Sequence, residues 1–500
     1  MKKITIDPIT RLEGHGKIEI FLNDEGDVEN AYLQIPELRG FEKFCEGRPV
    51  EEMPRITPRI CGVCPGAHHM ASTKATDAVY HVTPPPAAKK LRELFYCAHM
   101  IHSHIAHFYA LAVPDFVMGP TSDPAQRNIL GVIAKLGLEV GGEVIKHRAY
   151  AQDIQAVIGG KATHPVCGLP GGMSKPITEE ERKDFEDKAA SLVEFGKFGL
   201  KLFNDLVLAN KEYLELITGD IYTMKSYYMG MVDGDNKVNF YDGDIRVVDP
   251  EGKEVAKFKP AHYLEYIAEH TEPWSYLKFP FLKKVGWKGM VDGKDSGVYR
   301  VNSLARLNVA DGMATPLAQA EYEKMFETLG GKPVHATLAF HWARLIEILY
   351  AAERILDLCR DDEITSPQIR AIPTAIPDEG VGVVEAPRGT LIHHYQTDDK
   401  GLIRKVNLIV ATVMNNPAMN MSVKWAAQGL IKKGKIASEG LLNMVEMAFR
   451  AYDPCMACAT HTLPGQMPLA VAIYDSKGNV IEELSQHLPS PSLGVKVIVH

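Results

Sequence analysis

Near the N-terminus, apolar and polar positions alternate. Gly16 to Leu22 and Asp27 to Gln34 each read as a strand, with turn residues Asn23 to Gly26 between them. After Pro84-Pro85-Pro86 the period changes. Leu91, Leu94, Phe95, Ala98, Ile101, Ile105 and Phe108 recur at helical spacing, which predicts a helix over Ala87 to Val113. A second long helix opens at Thr178, where Glu181 completes a capping box. Phe185, Leu192, Phe195, Leu202 and Leu206 carry its apolar stripe toward Leu216. Strands follow over Lys237 to Tyr241, Asp244 to Val248 and Lys253 to Phe258, with turns at Asp242-Gly243 and Asp249 to Gly252. Thr315 as a cap and Pro316 at the first helical position start a helix to Gly330. Further helices span Val334 to Arg360 and Glu439 to Ala451. The tail, Pro468 to Val499, reads as a hairpin turning at Ser476-Lys477-Gly478.

This pattern predicts an α+β fold, a core bundle of long helices with β-rich N- and C-terminal regions, rather than alternating βαβ units. The divisions it suggests are an N-terminal α+β region (1–86), a long-helix core (87–220), a β-containing insertion (221–314), a helical and C-terminal region (315–461) and a terminal extension (462–500). A chain of 500 residues is too long for one ordinary domain and can bury a large core.

Charge changes this picture little. With 55 basic and 63 acidic residues the net charge is −8, which gives no electrostatic footprint for nucleic acid. The start has no apolar signal-peptide core, and no run of about 18 uncharged apolar residues suggests a membrane span. Eight cysteines in 500 residues are too few for a disulfide scaffold.

Their placement is what carries chemistry. Cys61-Gly-Val-Cys64 and Cys455-Met-Ala-Cys458 are two C-x-x-C pairs near opposite ends of the chain. Each pair can converge on one metal ion, and together they supply four soft ligands for zinc, nickel or an iron–sulfur centre. A structural zinc knuckle remains open on spacing alone. Covalent haem is excluded, because Pro65 and Ala459 stand where C-x-x-C-H needs histidine. Arg59, His68 and His69 flank the first pair, and Asp453 and His461 the second. Such titratable neighbours suit a site that handles protons better than a structural zinc. His99, His102, His104 and His107 do not share one helical face, and they read as core or network histidines.

Arg59-Ile-Cys61-Gly-Val-Cys64 and Asp453-Pro-Cys455-Met-Ala-Cys458-Ala-Thr-His461 resemble the two signature motifs of the nickel–iron hydrogenase large subunit. Arg11-Leu-Glu13-Gly-His15, Arg39-Gly-Phe-Glu42 and Ala386-Pro-Arg388-Gly389 extend the resemblance over most of the chain. Pro65-Gly-Ala-His68-His69-Met is similar to the cytoplasmic, cofactor-coupled branch associated with heterodisulfide reductase.

The resemblance implies reversible heterolytic cleavage of H2 to protons and electrons. Cys61 and Cys455 would be terminal nickel ligands, and Cys64 and Cys458 would bridge to an iron bearing carbon monoxide and cyanide. It implies that Arg388 hangs over the metals, where electrostatic positioning suits an arginine better than a base role. Glu13 would pass protons from a terminal cysteine toward solvent. Glu42 and His461 would hold magnesium, with His68 and Asp453 orienting a bridging sulfur and the iron's cyanide. Ser103 is a departure, standing where many members have an acid.

Outside the motifs only Cys45, Cys97, Cys167 and Cys359 remain, scattered singly, so this chain is expected to hold no iron–sulfur cluster. The expected partners are an iron–sulfur small subunit, further electron-transfer subunits such as heterodisulfide reductase, and a maturation endopeptidase that cuts after His461. A related quinone-site subunit of respiratory complex I lacks the four cysteines, which this chain has. The branch resembled implies a cytoplasmic location.

Overall fold

A computed structural model of the chain describes residues 2–37, 39–432, 438–461, 469–474 and 480–486. Three antiparallel strands open it: β1 (Lys2–Ile6), β2 (Lys17–Leu22) and β3 (Val28–Gln34). The last two are the alternating stretches of the sequence. They bury Ile18, Ile20, Ala31 and Leu33 and turn the intervening positions outward. β1 adds a strand that the sequence pattern did not suggest.

The interior is built on long helices: α1 (Pro65–Val79), α2 (Pro86–Ile105), α3 (Leu138–Gly159), α4 (Glu179–Phe203), α5 (Pro316–Thr328), α6 (Phe340–Cys359), α7 (Asn416–Leu430) and α8 (Glu439–Arg450). α6 lies at the centre, packed by α2, α4 and α5, and is buried on nearly every side. The larger apolar core runs from Ile6 to Ala459, and a second cluster, with Met229, Ile245, Val383, Ile392 and Ile409, joins the strands Tyr227–Val232 and Asp244–Val248 to the C-terminal strands.

Several boundaries differ from expectation. The helix expected over Ala87 to Val113 is three pieces. α2 gives way to a π-helical turn at Ala106–Ala112, then to a short helix, Val113–Val117. Pro114 sits in the first turn of that last piece, where its missing N–H costs nothing and the wider turn clears its ring. The capping box at Thr178 forms as predicted, with the Glu181 N–H donating to Thr178 Oγ1 at 3.1 Å and the Thr178 N–H to Glu181 Oε2 at 2.9 Å. That helix stops at Phe203, not near Leu216. A π-helical turn at Asn204–Leu208 follows, and Asn210 caps a new helix, Lys211–Thr218, by accepting from the Glu212 and Tyr213 N–H groups. Thr315 does not cap α5. Its hydroxyl donates to Glu353 on α6, and that carboxylate takes the N–H groups of Leu317 and Ala318.

In the β insertion, Lys237 to Tyr241 is not a strand. Lys237 and Val238 make only isolated bridges, to Gly312 and Val232, and Asn239 Oδ1 then turns the chain by accepting from the Tyr241 and Asp242 N–H groups. β4 (Tyr227–Val232) pairs with β5 (Asp244–Val248), and β5 with β6 (Glu254–Phe258). β4 is buried at all six positions, so no alternation announces it.

The sheet that frames the site also went unpredicted. β7 (Glu379–Ala386), β8 (Gly389–Thr397) and β9 (Ile403–Ile409) form an antiparallel meander under α1. Gly382 lets α1 rest on β7, because a Cβ there would stand 2.1 Å from the Ala71 carbonyl oxygen. At the C-terminus, Leu469–Tyr474 and Val480–Gln486 pair antiparallel, as the tail pattern predicts. The expected turn at Ser476 to Gly478 lies outside the described residues. Among the described residues, no helix is long and apolar enough to cross a membrane.

Candidate metal centre

The two C-x-x-C pairs reach one point from opposite ends of the chain. Cys61 and Cys64 sit between a 3-10 turn, Thr57–Ile60, and the Pro65 start of α1, with Cys64 at the N-cap position. The Val63 and Cys64 N–H groups point at Cys61 Sγ, 3.2 and 3.3 Å away. Cys455 caps and Cys458 lies within a single helical turn, Met456–Ala459, entered through Asp453 at a left-handed φ of 52°. Cys61 Sγ is 3.2 Å from Cys455 Sγ and Cys64 Sγ is 3.1 Å from Cys458 Sγ. All four sulfurs lie within 4.8 Å of one another, buried and free of disulfides.

Arg39 ties the two loops together. Its guanidinium donates to the Ile60 carbonyl at 2.7 Å, to the Ala457 carbonyl and to Thr460 Oγ1. Gly14 brings the N-terminal segment onto the second pair, since a Cβ there would meet the Met456 side chain at 2.7 Å and its φ is +81°. Glu13 is thereby fixed: its carbonyl accepts from the Met456 N–H, and its Oε2 lies 3.0 Å from both the Ala457 nitrogen and Cys455 Sγ. The Glu13 side chain is only partly buried. Its loop is anchored two residues earlier by Arg11, which donates to Asp115, Asn443 and the Leu111 carbonyl.

Arg388 stands on the turn between β7 and β8, 4 % exposed. Its Nη2 donates to Asp453 Oδ1 at 3.0 Å, and Nη1 lies 3.5 Å from Ser103 Oγ. Burial disfavours the guanidinium charge, but Asp453 and the sulfurs of Cys455, Cys64 and Cys61 overcome that, holding its pKa well above the usual arginine value. Cys61 is drawn down toward thiolate by hydrogen bonds from the other three thiols, Cys455 first, while burial pushes Cys455 and Cys458 up. His68 Nε2 lies 3.5 Å from Cys458 Sγ, and burial lowers this imidazole's pKa to about 4.

A small pocket, about 240 Å³ of space between atoms, opens on Cys64 and Cys458. Arg388, His68, Ala386, Leu391, Val410 and Thr412 complete its walls. A structural zinc site closes its four thiolates on the metal, whereas a reactive one keeps an open face. Four soft donors with an open edge under a fixed cation suit a redox metal pair, and Arg388 Nε and Asp453 Oδ2 are left there without protein partners.

His461 is buried beside Glu42. Its Nδ1 faces the Cys458 carbonyl at 2.9 Å and its Nε2 the Leu408 carbonyl, with Glu42 Oε1 3.8 Å from Nε2. Burial lowers the His461 pKa to about 4. A neutral ring has one N–H for two facing carbonyls, so a cation held by Nε2, the Leu408 carbonyl and Glu42 fits this cluster.

Other sequence candidates lie elsewhere. Arg59 is exposed, and His69 turns away to the Pro54 carbonyl and the Gly168 N–H. His15 pairs with Glu37 at the surface. The helical histidines are network residues: His99 meets Gln155, His104 meets Glu347 and His107 meets the Arg450 carbonyl. His393 and Tyr395, which reach His68, were missed; their alternate spacing on a strand just after Arg388-Gly389 was the available signal.

The nickel-dependent hydrogenase family model matches residues 39–126 and 143–461, and a model described as HoxL-like matches residues 3–38. The chain belongs to the nickel-dependent hydrogenase family. It is similar to an F420-non-reducing hydrogenase iron-sulfur subunit of Archaeoglobus profundus, with 52% identity over 97% of this chain and 99% of that one. The beta subunit of the NAD-reducing hydrogenase HoxS from Cupriavidus necator is 38% identical over 96% and 99% of the two chains. A crystal structure of an NAD+-reducing [NiFe]-hydrogenase in the H2-reduced state superposes with a TM-score of 0.86 and 38% identity, covering 92% of this chain and all of that one. The protein is thus a hydrogenase catalytic subunit, and its four clustered cysteines are the ligands of a nickel–iron centre.

Proposed function

We propose that Cys61 and Cys455 bind nickel terminally, while Cys64 and Cys458 bridge nickel to an iron bearing carbon monoxide and cyanide. The observation that carries this reading is the asymmetry around the sulfurs: the pocket under Arg388 opens on Cys64 and Cys458, and Glu13 meets Cys455. When bound, the centre supplies heterolytic cleavage of H2 and takes up its two electrons. Glu13 Oε2 accepts the proton from Cys455 Sγ at 3.0 Å and, being partly exposed, releases it toward solvent. Arg388, held charged by Asp453, keeps its own proton. It acts on H2 by its field rather than as a base. Asp453 orients the iron's cyanide and His68 a bridging sulfur, while Glu42, His461 and the Leu408 carbonyl hold magnesium.

Electrons then leave through the iron–sulfur clusters of a partner subunit and on to heterodisulfide reductase, in the cytoplasm. Supporting this, Cys45, Cys167 and Cys359 are single buried thiols whose pKa values burial raises to about 12, poor ligands for a cluster. Residues after His461 are removed by a maturation endopeptidase; the family match ending at residue 461 supports that cut. The test is to purify the metal-loaded chain with and without its iron–sulfur partner. Both forms should exchange H2 with D2O, but only the pair should reduce a viologen dye with H2. Full dye reduction by the chain alone, or no exchange by either form, counts against the reading.

A further inference from the structure

α1 presents His68 and Ser72 four residues apart on one face, and β8 presents His393 and Tyr395 two residues apart on one face. Where those faces meet, the four side chains form one continuous line. His68 Nδ1 is 3.1 Å from His393 Nε2, His393 Nδ1 is 2.6 Å from Tyr395 Oη, and Tyr395 Oη is 2.8 Å from Ser72 Oγ. At the other end, His68 Nε2 is 3.5 Å from Cys458 Sγ. All five residues are buried.

The donor count fixes the direction of this line. A thiolate bound to metal can only accept, so His68 Nε2 must carry the hydrogen that faces it. Each neutral imidazole has one N–H, so His68 Nδ1 is then a lone pair and accepts from His393 Nε2–H. His393 Nδ1 is in turn a lone pair and takes the Tyr395 hydroxyl hydrogen, which turns from its donation to Ser72 Oγ to face His393 at 2.6 Å. Three hydrogen bonds therefore point the same way and end on one sulfur. Each donor is made more acidic by the donor behind it, because such chains polarise cooperatively in a dry interior. Hydrogen bonds to ligand sulfur draw electron density off the metal.

We propose that His393 and Tyr395 are positioning residues, which hold His68 in its Nε2–H form and strengthen its hydrogen bond to Cys458, so that β8 sets part of the electron density at the metal centre. The inference rests on the reading of Cys458 as an iron-bridging ligand. It differs from the role given to His68 alone, in that the tuning is supplied from residues that touch neither metal ligands nor substrate.

The test uses the metal-loaded holoenzyme, read by the infrared stretching band of iron-bound carbon monoxide. His393→Phe removes the donor to His68, and Tyr395→Phe removes one hydroxyl and nothing else. A weaker hydrogen bond leaves Cys458 a stronger donor, which sends more density through iron into the carbonyl. The band should therefore move to lower wavenumber in both variants, further in His393→Phe, with nickel and iron content unchanged. A structural role would not produce that graded shift. An unshifted band in the loaded variants overturns the proposal. So does loss of the metals from Tyr395→Phe, which would make the chain a scaffold. Absence of any carbonyl band from the unaltered enzyme would count instead against the nickel–iron reading.

Discussion

Replacing Glu13 by Gln isolates proton transfer from every other contact that the residue makes. Oε2 has two neighbours at 3.0 Å, the Ala457 N–H and Cys455 Sγ. A glutamine amide oxygen in the place of Oε2 still accepts from the Ala457 N–H, and the backbone bond from Met456 to the Glu13 carbonyl is untouched. The loop and the metal site should therefore persist, and only the ability to take a proton is lost. A positioned general base is worth about 10²–10⁴-fold in rate, or about 2.7–5.5 kcal/mol of activation free energy. H2 oxidation by Glu13→Gln should fall within that range at unchanged nickel and iron content. Exchange of H2 with D2O should fall in parallel, because it needs the same exit. Turnover within twofold of the unaltered enzyme, with metals fully loaded, would refute the relay. Metal loss alongside the rate loss would assign Glu13 a structural part instead.

Arg388→Lys keeps the charge but cannot span Asp453 and Ser103 with a planar fork, and turnover should fall about 10²–10³-fold with the metals retained; unchanged kcat/KM would remove Arg388 from the chemistry. Acid should destabilise the fold well before the carboxylates titrate. Burial pushes His102 and His341 down to about 3 and His99 to about 4, so the unfolded chain takes up these protons below about 6.5 while the folded one does not. Their neutral burial costs nothing above that pH, and stability should fall as pH drops from 6.5 toward 4, by about 1.4 kcal/mol per pH unit for each histidine. A flat urea midpoint from pH 7.5 to 5 would contradict this. The mature active chain should end at His461 by intact mass, and an active chain still carrying His500 would reject removal of the tail.

The four cysteines were legible because chemistry fixes their spacing, and the placement of Glu13 and Arg388 beside them, and of Glu42 beside His461, through the motifs around them. Amphipathic elements were equally plain: α4 announces its start with a capping box, and β2 and β3 alternate. What escaped is what the interior covers on every side. α1 carries small and polar residues with no stripe, yet all but two of its residues are buried, so no 3.6-residue period marks it. β4 and the inner part of β7 and β8 are buried on both faces, which erases the two-residue period. The bond from Arg39 to Ala457 and the His68–His393–Tyr395–Ser72 line were invisible for a further reason. They join residues more than 300 positions apart, and only the packing of α1 on the β7–β9 sheet brings the latter together.

The central claim is that the four clustered sulfurs hold a nickel–iron centre and not a structural zinc. Metal analysis combined with infrared spectroscopy of the purified protein tests it most directly. The account predicts nickel and iron in equal amounts, with carbonyl and cyanide bands that disappear when Cys61 or Cys458 is changed to serine. Zinc alone, with no such bands, would contradict it.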